Sequence, residues 1–121
     1  MEILKIIIDK KKFSSKDLKS LGIVENRYLK ISTFADDLNV DFNTEDLENF
    51  DCLVTAKELR SAVKKISDGR IIEHLNRDDY EKLTYPLYVK SETFMSFLKE
   101  NKSEWNFFKF LENHTFKIKH I

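Results

Sequence analysis

The chain has very little glycine, proline or cysteine, and each scarcity excludes something. Gly22 and Gly69 are the only glycines in 121 residues, and they lie far apart. Phosphate-cradling loops such as GxxxxGK[ST] and GxGxxG need clustered glycines so that backbone amides can approach a phosphate. Both motifs are therefore excluded, and with them the commonest nucleotide-binding solutions. Pro86 is the only proline, and no Pro/Gly/Ser-rich linker, repeat or low-complexity stretch divides the chain. Residues 1–121 thus read as one globular domain, a usual length for a single core. Cys52 is the only cysteine and has no partner for an intramolecular disulfide. The N-terminus lacks the basic region, long apolar run and cleavage site of a secretory signal. Ile6-Ile7-Ile8 is closed by Asp9, far short of the roughly 20 apolar residues that cross a bilayer. A cytoplasmic protein without a membrane span is expected.

Apolar and aromatic material is abundant by contrast. With 41% hydrophobic residues, including 10 Phe, 4 Tyr and 1 Trp, the chain is too apolar to be disordered despite 35% charged residues. Ile3 to Ile8 is short and β-branched and reads as a buried first strand. A short helix follows, capped by Ser14 or Ser15, with Leu18 and Leu21 on one face and Gly22 as its stop. Arg27 to Phe34 reads as a second strand, with Tyr28, Lys30 and Ser32 on one face and Leu29, Ile31 and Thr33 on the other. Thr44 is placed to cap a short helix that turns Leu47 and Phe50 inward.

Thr55 and Glu58 satisfy an [ST]xxE capping box, and Leu59, Ala62, Val63 and Ile66 follow at helical spacing, so a helix is expected from Thr55 to Ser67-Asp68-Gly69. Arg70 to Leu75 fits strand or helix, and Asn76 to Leu83 fits a short helix led by Asp78 and Asp79. Tyr85 to Val89 reads as extended, with Pro86 marking an edge strand. From Ser91 the positions of Phe94, Phe97, Leu98, Trp105, Phe108 and Leu111 trace a helical stripe broken near Asn101 to Ser103, and His114 to Ile121 closes the chain as a strand. The fold class expected is α+β, with a mixed or antiparallel sheet packed against several helices.

No motif identifies a catalytic or metal centre. Asp37, Asn39, Asp41, Asn43 and Glu48 fall at ligand positions of an EF-hand-like loop, but Phe42 stands where the sharp turn needs glycine. A solvated acidic loop is the better reading. Cys52 lies in the apolar run Cys52-Leu53-Val54 and reads as a buried core residue rather than a nucleophile. His74, His114 and His120 have no metal-site spacing, and on one strand His114 and His120 would stand about 20 Å apart. Asp78, Asp79 and Glu81 read as charges at a helix start, with Arg77 and Lys82 beside them, rather than paired acid and base. No cofactor is expected.

Charge supplies the functional expectation. Between Ile31 and Ala56 the chain carries Asp36, Asp37, Asp41, Glu45, Asp46, Glu48 and Asp51 and no Lys or Arg, although its total net charge is zero. A field of one sign attracts basic protein surfaces and speeds their association. This arrangement fits a non-enzymatic inhibitor that neutralises a basic partner such as a nuclease toxin, as immunity proteins and antitoxins do by analogy of surface chemistry. Asp36, Asp37, Asp41, Glu45, Asp46, Glu48 and Asp51 would supply charge, and Phe42 or Phe50 an apolar anchor. The alternative is a nucleic-acid-binding regulator that uses Lys10, Lys11, Lys12, Lys16 and Lys19, with Arg27 and Lys30 nearby. Phe107, Phe108 and Phe110 span too wide an arc for one buried stripe, which leaves a ring for a homodimer face.

Overall fold

A computed structural model describes residues 3–40, 43–59, 62–76 and 80–120. Among these residues are seven strands and four helices: β1 (Ile3–Ile7), α1 (Ser15–Ser20), β2 (Tyr28–Ser32), α2 (Asp46–Asn49), β3 (Cys52–Lys57), β4 (Val63–Ser67), β5 (Arg70–Leu75), β6 (Lys82–Lys90), α3 (Ser91–Glu100), α4 (Phe107–Glu112) and β7 (Phe116–His120). A single 3-10 turn, Ile23–Glu25, separates α1 from β2. Five strands form a mixed sheet in the order β1-β2-β6-β3-β7, and β4 and β5 form a separate hairpin. β1 pairs parallel with β2, and β3 parallel with β7, while β6 runs antiparallel to both β2 and β3. The carboxyl ends of β1, β2, β3 and β7 therefore share one edge of the sheet with the start of β6. The arrangement is the α+β one expected. No helix among the described residues is long and apolar enough to cross a membrane.

Both faces of the sheet are covered, which is why every residue of β2 is buried. Leu29, Ile31, Cys52, Val54, Leu87 and Val89 join Phe13, Phe94, Phe97, Trp105 and Phe110 in the larger core. Phe97 sits edge-on to Trp105 and Phe110, with ring centroids 5.5 and 5.3 Å away. The Trp105 indole donates a 2.9 Å hydrogen bond to the Tyr85 hydroxyl, so its polar end is satisfied inside this aromatic layer. On the other face Tyr28, Leu53 and Tyr88 meet Leu47 of α2 and Val40.

The local signals at α1 act as the residues suggest. The Ser14 hydroxyl accepts from the Asp17 amide at 3.1 Å and the Asp17 carboxylate accepts from the Ser14 amide at 2.8 Å, a reciprocal capping box. Gly22 takes the left-handed φ of +74° that stops the helix.

Four expectations are corrected. Thr55 begins no helix: Cys52 to Ala56 are buried between β6 and β7, and this pairing overrides the capping signal. The Thr55 hydroxyl instead donates to the Pro86 carbonyl at 2.8 Å. Asp68 and Gly69, with φ of +52° and +73°, turn the β4–β5 hairpin rather than end a helix. Pro86 lies in β6, third of five strands, where the pairing register shifts between Val54 and Thr55, so the missing amide falls at an irregularity of the ladder. β1 is an edge strand in which only Ile6 is buried. Of the helix expected over Asn76 to Leu83, Asp78 and Asp79 lie outside the described residues, and Lys82 and Leu83 belong to β6.

Candidate functional site

The shared carboxyl edge gathers polar side chains from five segments. Register places Lys57, the last residue of β3, opposite Lys82, the first of β6, and Ala56 beside His120 at the end of β7. The chain leaving β2 folds back in a turn in which the Asp36 amide donates to the Thr33 hydroxyl at 3.0 Å and the Thr33 amide donates to the Asp36 carbonyl at 3.2 Å. This turn delivers Asp36 between two partners: Lys57 Nζ at 2.5 Å from Oδ1, and the Thr84 hydroxyl donating to Oδ2 at 2.9 Å. Lys57 chiefly, helped by Thr84, holds the Asp36 carboxyl below its ordinary range. His120 Nε2 meets the Glu81 carboxylate at the same edge. A cavity of about 240 Å³ opens at the end of β1, lined by Ile7, Asp9, Lys10, Phe13, Asp17, Ser20 and Leu21.

Three other acids of the 36–51 stretch, Asp37, Asp46 and Glu48, also meet cations. Asp37 takes Lys5 and, at 3.3 Å, Lys30. Asp46 takes Lys117 at 2.9 Å and Lys119 at 3.7 Å, and Glu48 takes Lys90 at 3.1 Å and Arg27 at 3.3 Å. Lys5 pulls the Asp37 carboxyl below its ordinary range, and Lys117 does the same to Asp46. Asp51 holds the entry to β7, its carboxylate accepting from the Thr115 amide at 2.9 Å while its own amide donates to the Thr115 hydroxyl at 3.0 Å. Glu45 is exposed just before α2, and its amide donates to the Asn43 side chain at 2.9 Å. Phe50, expected to point inward, is 36% exposed. Asp41 and Phe42 lie outside the described residues.

Four of the seven acids, Asp36, Asp37, Asp46 and Glu48, are thus compensated across the fold. The lysines responsible sit on strands that also carry apolar residues: Lys5 on β1, Lys30 on β2, Lys57 on β3, Lys90 on β6, Lys117 and Lys119 on β7. The available signal was Lys30 and Ser32 alternating with Leu29 and Ile31, and Lys117 and Lys119 two apart.

The remaining candidates are also located. Asp37 and Glu48 of the calcium-type loop face cations of their own chain, and no group of three or more His, Cys, Asp or Glu among the described residues is placed to hold a metal ion. Cys52 is buried, and loss of hydration pushes its thiol up to about 12, away from nucleophilic use. His114 donates from Nδ1 to the Phe110 carbonyl at 2.8 Å and stacks on the Phe110 ring. Lys10 pairs with Asp17 at 2.9 Å, whereas Lys11, Lys12 and Lys16 are exposed. Phe110 is buried, Phe107 packs on Tyr85, and Phe108 is 62% exposed.

No family model and no curated protein sequence matches the chain. Its fold is similar to that of the 4-diphosphocytidyl-2C-methyl-D-erythritol synthase of Anaerococcus prevotii, with a TM-score of 0.57, 15% identity, and coverage of 91% of this chain and 58% of that one. It is also similar to the bifunctional IspDF of Campylobacter jejuni, with a TM-score of 0.55, 18% identity, and coverage of 85% of this chain and 28% of that one. The chain thus spans little more than half of the first of these proteins and under a third of the second. This likeness to solved enzymes overturns the expectation of a non-enzymatic inhibitor of immunity or antitoxin type.

Proposed function

We propose that this chain is an enzymatic domain that binds a phosphorylated ligand at the carboxyl edge of its sheet and takes part in nucleotidyl transfer. The observation that carries the reading is the meeting of Lys57, Lys82 and Thr84 with Asp36 at that edge, in a fold similar to that of a cytidylyl-transferring enzyme. Ligands of open sheets of this kind lie outside the carboxyl ends of the strands. In nucleotidyl transfer a phosphate oxygen of the acceptor attacks the α-phosphorus of a nucleoside triphosphate, and the bond to the departing pyrophosphate breaks. Negative charge grows on the leaving group, and fixed cations facing it lower the barrier. With clustered glycines absent, side-chain cations rather than a backbone loop would hold the phosphates. Lys57 and Lys82 are assigned that role, Thr84 donates a hydrogen bond, and Asp36 sets the position of both Lys57 and Thr84. A cytoplasmic location belongs to the same reading, since nucleoside triphosphates are made and used there.

The test is pyrophosphate release from each of the four ribonucleoside triphosphates with a panel of sugar and polyol phosphates, alongside nucleotide binding followed by ligand-observed NMR. Binding that weakens about tenfold or more in Lys57→Met and Lys82→Met supports the reading. No binding of any nucleotide at millimolar concentration, together with no pyrophosphate release, overturns it.

A further inference from the structure

Between β3 and β6 the chain carries a hairpin that is built unlike the rest of the molecule. Among the described residues β4 and β5 pair only with each other. Val63 and Leu75, the pair farthest from the turn, are half-buried, and every other residue of the two strands is exposed. A two-stranded hairpin alone is marginally stable in water and needs a further strand or a packed face. This one turns apolar side chains outward: Ile66, Ile71 and Ile72 are 66, 54 and 56% exposed. The three form one patch. Ile66 pairs with Ile71, and the register shift after Lys65 leaves Ile72 as the extra residue of a bulge, so both isoleucines of β5 oppose Ile66. Single exposed apolar residues are ordinary on a surface, whereas three gathered on an arm mark a contact.

The charges around the patch say what covers it. Lys64 shares a strand face with Ile66 by the two-residue alternation, and Asp68 stands two residues beyond Ile66 in the turn. Among the described residues neither Lys64 nor Asp68 meets a charge of its own chain. Along β4 the order is therefore cation, apolar residue, anion, with Ile66 at the centre. Such an order is complementary to itself when reversed. The geometry points to this hairpin as the interface of a homodimer, in which the isoleucine patches of two copies pack face to face about a two-fold axis near Ile66. In a two-fold interface residue i meets j and j meets i. Lys64 of each copy then faces Asp68 of the other, and the apolar centre is closed at both ends by opposite charges. An anionic membrane or an acidic protein would call for a rim of one sign, but Lys64, Lys65 and Arg70 are interspersed with Asp68 and Glu73. This inference goes beyond nucleotidyl transfer and does not rest on it.

Sedimentation of the full chain over a concentration series tests the proposal, with circular dichroism to confirm that each variant is folded. The wild type is expected to reach twice its monomer mass at micromolar concentration. Ile66→Asp, at an exposed position, is expected to be a folded monomer under the same conditions. Lys64→Glu sets two carboxylates against each other at both ends of the patch and is expected to weaken the dimer at least tenfold. Adding Asp68→Asn, a residue that tolerates the same left-handed turn, is expected to recover most of that loss. Amide exchange in β4 and β5 slows as the dimer forms. A wild type that stays monomeric at hundreds of micromolar overturns the proposal, whether or not it then floats with phosphatidylserine vesicles or captures another protein. A dimer indifferent to Ile66→Asp or to Lys64→Glu overturns it as well.

Discussion

Lys30 sits between two apolar neighbours on β2 and is only 9% exposed, with Asp37 and Asn39 lying over its side-chain nitrogen. Burying a cation without a partner costs several kcal/mol, so the pairing residue is as necessary as the lysine. The same reasoning applied to Cys52 gives an opposite outcome. It is buried among apolar residues, with its thiol pushed up to about 12, so it is expected to resist maleimide in the native protein and to react only at the rate of unfolding. A stopped-flow labelling trace with and without urea checks this. In the aromatic layer, Phe97 is 2% exposed and touches Trp105, Phe110 and His114, so Phe97→Ala is expected to cost about 3–5 kcal/mol in urea melts. Phe108→Ala, at 62% exposed, should change stability little.

Elements were legible where their cause is local. The cap of α1 and the glycine that ends it are written in three positions, Ser14, Asp17 and Gly22, and Ser14→Ala is expected to lower stability by about 1 kcal/mol, read from thermal melts. The strands β2 and β7 follow from alternation, and α3 and α4 from the aromatic stripe broken after Asn101. Elements were misread where the cause is distant. Thr55 and Glu58 carry the correct spacing for a helix start, but Cys52 to Ala56 fill the slot between β6 and β7, and burial on both faces outweighs a cap worth about 1 kcal/mol. Pro86 suggested an edge because a ladder needs amides, and the register shift that accommodates it cannot be seen in one strand alone. The candidate site was half legible for the same reason. Asp36 and Asp37 stood out as charge, while Lys57, Lys82 and Thr84 gained meaning only once β3 and β6 were paired.

Across the whole molecule the neutral total has a structural counterpart: acids from one segment close over lysines from the sheet. Asp36, Asp37 and Asp46 are each held below the ordinary aspartate value of 3.8, and Asp17, whose carboxylate accepts from the Ser14 backbone and meets Lys10, is lowered to about 2. A carboxyl with a depressed folded value takes up its proton more readily in the unfolded chain. Its contribution to stability is therefore complete above the ordinary value and is lost as pH falls through the folded one. Stability measured by urea unfolding is expected to hold from pH 7 to about 5 and to fall below about pH 4, with a shallower fall in Asp36→Asn and Asp46→Asn. High salt should reduce these contributions only in part, because the pairs on Asp36 and Lys30 are shielded from solvent. The most direct test of the closure is a single NMR titration of every aspartate carboxyl carbon in the folded protein. Asp36, Asp37 and Asp46 are expected to titrate below 3.8 and to return toward it in Lys57→Met, Lys5→Ala and Lys117→Ala respectively. Titration of all three at the ordinary value, unmoved by those substitutions, would contradict the account.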